Sequence, residues 1–221
     1  MIVRLAVALC AAALFGFALG WAHDPLYATR NLVKFPLLIA TTATTCAASY
    51  WLSARLLGLR LPFLATQRLA WKLYDDASVL LGSLAPAVFF LACVLRATDD
   101  GRLGEYDRFL AANVALIALA GTIALVRQAR SVAVLNGVAR GRARAIVVVW
   151  LLLSLLVGGQ ASFWMRPFFG FPATRGWRPP FFFMNTPDLR GATNFFEAVG
   201  QALRHPGLPS DLEERMRELG R

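Results

Sequence analysis

The chain has 221 residues, of which 57% are hydrophobic and 16% charged, and its formal net charge is +10. Soluble domains carry about a quarter of their residues as charge, so this composition argues against a water-soluble globule and for a membrane protein. It argues against a nucleic-acid binder too: no basic stripe, zinc-ligand spacing or RNA-binding aromatic motif accompanies the Arg residues, which sit between apolar runs.

A helix crossing about 30 Å of hydrocarbon at 1.5 Å per residue needs roughly 17–25 apolar residues. Five stretches meet this and contain no Asp, Glu, Lys, Arg or His: 5–22, 35–52, 77–95, 109–126 and 145–165. A charge at mid-bilayer costs about 2.5–3.5 kcal/mol, so the charges flanking each stretch, such as Lys34 and Asp75-Asp76, mark its limits. The expected fold is all-α: a polytopic bundle of five spans over residues 1–166, then a tail over 167–221 with an irregular aromatic segment and two short helices.

The first stretch reads as an uncleaved span. A signal peptide is the alternative, since Arg4 precedes an apolar run with small residues at Gly20 and Ala22. Cys10, Cys46 and Cys93 fall in apolar runs without a C-x-x-C and read as small buried residues. Thr41, Thr42, Thr44, Thr45, Ser49 and Tyr50 crowd the second stretch, which suits close helix packing and interhelical hydrogen bonds, or a polar path. Connection 53–76 holds Pro62 before an alternation of Leu and Trp with Arg and Lys. It is either a separate amphipathic helix on the membrane surface or an extension of the third helix. Pro86 is expected to kink that helix.

Lys34 and Lys72 are the only lysines beside 21 arginines, which with the Ala content looks like the coding bias of a GC-rich bacterium. Ten basic residues lie in the N-terminus and in connections 53–76 and 127–144, against five in the other two connections. The positive-inside rule then puts the N-terminus and these two loops in the cytoplasm of a bacterium, the protein residing in its inner membrane.

The last stretch runs into a run punctuated by Pro and Gly, with Gln160, Trp164, Arg166, Pro167, Phe168 and Gly170, then Arg178 and Phe181-Phe182-Phe183. Pro167 should close the helix, and Gln160 needs a polar partner at membrane depth. The aromatic segment is expected to lie at the headgroups as a belt. The alternatives are a cap over a cavity, with Gln160, Arg166 and Arg178 facing inward, or a docking surface for a partner subunit. Asn194-x-x-Glu197 reads as a capping box opening a surface helix with Phe196, Val199 and Leu203 as its stripe. Ser210-x-x-Glu213 reads as the cap of a second helix.

Taken with Lys34-Phe35-Pro36-Leu37-Leu38, Leu57-Gly58, Leu84-Ala85-Pro86 and Asn194-Phe195-Phe196, the motif Gln160-x-x-x-Trp164-x-Arg166-Pro167-Phe168-x-Gly170 resembles a group of bacterial multi-pass membrane proteins. The resemblance covers about residues 15–200 and implies topology without a chemistry. A looser similarity is to Yip-type five-span proteins.

No H-E-x-x-H, G-x-S-x-G or P-loop is present, and His23 and His205, the only two His, fall in a connection and the tail. Asp99, Asp100, Glu105 and Asp107 match no EF-hand spacing and read as a solvated loop. The expectation is therefore a non-catalytic accessory or scaffolding subunit, without metal or cofactor, whose partners are the bilayer and another membrane protein or a second copy. A small-solute or lipid-handling transporter is the alternative, and a membrane enzyme is disfavoured.

Overall fold

The structure is a computed structural model that describes residues 2–22, 24–59, 61–97, 103–135, 140–166, 168, 181 and 193–204. It contains α1 (Ile2–Trp21), α2 (Pro25–Leu56), α3 (Phe63–Ala97), α4 (Leu103–Leu135), α5 (Arg140–Trp164) and α6 (Phe195–Arg204). No strand occurs among the described residues. The first five helices are long and apolar enough to cross a membrane. The chain is a multi-pass helical membrane protein.

The helices overrun the apolar stretches. A charge ends favourable contact with hydrocarbon, but it does not interrupt the backbone ladder; caps do. α2 begins where Asp24 accepts a hydrogen bond from the Leu26 N–H at 2.7 Å and Pro25 occupies the first turn, a side-chain cap followed by a preset φ. The twelve residues 23–34, expected as a loop, are therefore helical from Pro25 onward. At its other end Gly58, with φ +84°, donates to the Arg55 carbonyl at 3.0 Å while Leu59 donates to Ala54 at 2.8 Å. This is a Schellman motif, which needs the left-handed conformation glycine supplies. With 32 residues, α2 is about 48 Å long at 1.5 Å per residue, well beyond the hydrocarbon thickness.

Connection 53–76 shrinks to residues 57–62, because α3 starts at Phe63 and continues unbroken through the third stretch. The separate amphipathic helix does not exist; the third helix extends. Pro86 lies inside α3 and Pro36 inside α2.

Consecutive helices pack on one another, and α1 packs also on α3 and α2 on α5. Small residues let α1 and α2 meet closely: a Cβ on Gly20 would fall 2.5 Å from the Ala28 backbone nitrogen. One core holds Phe15, Phe35, Leu81, Val88 and Phe109, with Phe168 packed against it. A second, toward the other end, holds Cys46, Tyr50, Leu73, Leu125 and Trp150. There Tyr50 stacks on Trp150 with ring centroids 4.7 Å apart and shares a hydrogen bond with Ser154, while the Trp150 indole N–H donates to Ser53 at 3.1 Å. Tyr74 donates to the Cys46 sulfur at 3.4 Å. The buried hydroxyls thus satisfy one another across α2, α3 and α5. Arg4 pairs with Asp76, which also accepts from Gln128 at 2.6 Å, joining α1, α3 and α4.

Candidate functional site

Starting α2 at Pro25 carries Asn31 and Lys34 two turns into the helix, and both are fully buried, each with 0% exposure. Asn31 donates its side-chain amide to the backbone carbonyl of Phe168, beyond the end of α5. The Phe168 ring meets Phe35 edge-on at 6.2 Å, and Phe35 in turn meets Phe15 at 5.2 Å. The Lys34 ammonium lies 5.0 Å from the centroid of Phe181. Burying a cation is costly unless its donors are used and a favourable field surrounds it. An aromatic face supplies part of that field. Arg30, one turn earlier on α2, is half-buried.

The residues following α5 thus return to α2 at two described points, Phe168 and Phe181. At these two points the segment touches the bundle. Irregular backbone near the bilayer must find hydrogen-bond partners in protein, and Asn31 provides one. Trp164 is 62% exposed at the end of α5. Arg166 is half-buried, its guanidinium carbon 3.8 Å from the centroid of Phe163. Gln160 is half-buried on α5. Pro167, Gly170 and Arg178 lie outside the described residues, as do His23, His205, Asp99, Asp100 and the second tail helix.

Asn194 caps α6 as expected: its side chain accepts from the Glu197 N–H at 3.0 Å. Glu197 reaches one residue further back than a capping box requires, accepting from the N–H and the hydroxyl of Thr193, both at 2.9 Å. The backbone N–H and then the hydroxyl of Thr193 hold this carboxylate below the usual glutamate range. α6 packs on α4 and α5, and its seat is Gly159, where a Cβ would fall 2.7 Å from the Phe195 ring. The docking ring is therefore Phe195. Phe196 and Leu203, two members of the apolar stripe, are 46% and 65% exposed.

Compared with family models, curated proteins and solved structures, the chain matches none.

Of the sequence-derived cluster, Phe168 and Asn194 are engaged with the bundle or with α6, and Arg166 with Phe163. Asn31 and Lys34 lie outside that cluster, since in the sequence Lys34 marks the boundary of a span. The Asp24-Pro25 cap was the available signal: it starts the helix early enough to put both residues on the Phe35 face. Chemically, an amide and an ammonium donor suit carbonyl, anionic or π acceptors. Among the described residues no three His, Cys, Asp or Glu side chains come together to hold a metal ion.

Proposed function

We propose that this chain is a non-catalytic accessory or scaffolding subunit of a bacterial inner-membrane assembly, its N-terminus and the loops within 53–76 and 127–144 in the cytoplasm. The observation that carries this reading is the latch of α2 on the chain's own tail, Asn31 to Phe168 and Lys34 to Phe181. Buried polar groups of a span-length helix usually mark a substrate or ion path; here they meet Phe168 and Phe181 of the same chain. α6, packed on α4 and α5, leaves Phe196 and Leu203 uncovered for a neighbouring membrane protein. The ten-to-five distribution of basic residues supports the orientation.

Cross-linking in native membranes, followed by purification in mild detergent, tests the proposal. The expected result is a recurrent membrane-protein partner whose yield falls in Leu203→Glu. Repeated recovery of this chain alone would count against it. A carrier for an anionic solute or lipid is the second reading, favoured by the buried charge of Lys34; uptake into proteoliposomes that Lys34→Gln abolishes would establish it.

A further inference from the structure

At the end of the bundle opposite the latch, the turn after α2 encloses an open depression of about 660 Å³ lined by Arg55, Gly58, Leu59, Leu61 and Pro62. The Schellman bonds of Gly58 and Leu59 fix its wall, and Leu59, 6% exposed, anchors it in the core. Arg142, in the first turn of α5, stands at the rim: its guanidinium is 3.7 Å from where a Cβ on Gly58 would be. Arg55 lies over the Trp51 ring at 4.8 Å, and the buried Trp51 indole N–H has no hydrogen-bond partner among the described residues.

Charge here is of one sign. Residues 52–72 and 127–144 carry nine Lys and Arg and no Asp or Glu. Asp76, more than three turns into α3, is engaged by Arg4 and Gln128. Beside the cations the surface is apolar: Leu52, Leu56 and Leu64 are 55%, 80% and 65% exposed. Cations with a rigid hydrogen-bonding turn and an adjoining strip of bare Leu match a ligand with an anionic head and acyl chains.

We propose that this depression binds an anionic glycerophospholipid, with its phosphate between Arg55 and Arg142 and its chains along Leu52, Leu56 and Leu64. The guanidinium groups suit phosphate oxygens geometrically. A zwitterionic lipid would bring its own ammonium into an already cationic site and bind more weakly.

The test is native mass spectrometry of the full chain in mild detergent with equal phosphatidylglycerol and phosphatidylcholine. The expected result is retention of phosphatidylglycerol by roughly tenfold or more, the scale set by two basic groups at an anionic surface. Arg142→Gln should reduce the preference and Arg55→Gln with Arg142→Gln should bring it near parity. Arg108→Gln, which removes an exposed charge at the other end of the bundle, should leave it intact. Equal retention by the wild type, or an equal loss in Arg108→Gln, overturns the proposal. So does a rise in Tm with inorganic phosphate alone that matches the rise with phosphatidylglycerol, since the ligand would then be a free anion.

Discussion

Asn31 and Phe168 are 137 positions apart in the chain, yet the side-chain amide of the first donates to the backbone carbonyl of the second. This bond fastens Phe168, just beyond α5, to the second helix. Replacing Asn31 by Ala leaves that carbonyl without its donor in a buried setting, at a cost of about 1–3 kcal/mol. The expected outcome is a lower Tm in detergent and faster proteolysis of the C-terminal segment.

Gly159 is the seat for Phe195, and any side chain there collides with the ring. Gly159→Val should overpack the contact by about 1–3 kcal/mol and detach α6. Amide hydrogen exchange over residues 195–204 measures this. Protection should fall in the variant, while residues 41–50 of α2 keep theirs.

The attachment of α6 should depend on pH through Glu197. Its carboxylate is held below the ordinary value of 4.5 by the two Thr193 donors. The stabilisation is therefore complete above pH 4.5 and is lost as the pH falls through the depressed value. Exchange protection in α6 should be flat from pH 7 to 5 and decline below 4.5. Glu197→Gln should start lower and lose that pH dependence.

Trp150 is fully buried against Tyr50, and its truncation to Ala should cost about 3–5 kcal/mol. Tyr50→Phe keeps the ring and loses the hydroxyl contacts with Ser154, Tyr74 and Cys46, each worth about 0.6 kcal/mol on average within membranes. Thermal unfolding of the two variants in the same detergent should separate them clearly. A similar loss in both would mean that the hydroxyl, and not the stack, holds α2 to α5.

Five apolar stretches were legible because hydrocarbon sorts residues by polarity, whatever their tertiary partners. The helix ends were harder to read. The charges Lys34, Asp75-Asp76 and Arg127 bound apolar stretches in the sequence, whereas the backbone continues helical through all of them. The caps that do end helices, Asp24-Pro25 and Leu57-Gly58, are local patterns and could be read. The burial of Lys34 is beyond local reading: one ring beside its ammonium is Phe181, 147 positions away, and no periodicity couples the two. Asn194 and Glu197 gave the start of α6 correctly, but periodicity alone could not tell which ring faces the bundle. Phe195 wins because a glycine on α5 leaves room for it.

The latch rests on the return of Phe168 to α2, and a photoreactive phenylalanine at position 168 tests it directly. In liposomes, irradiation should give an intramolecular adduct mapping by mass spectrometry to residues 31–35 of α2. Adducts formed chiefly with lipid, and none with α2, would place Phe168 in the headgroup layer and contradict the account.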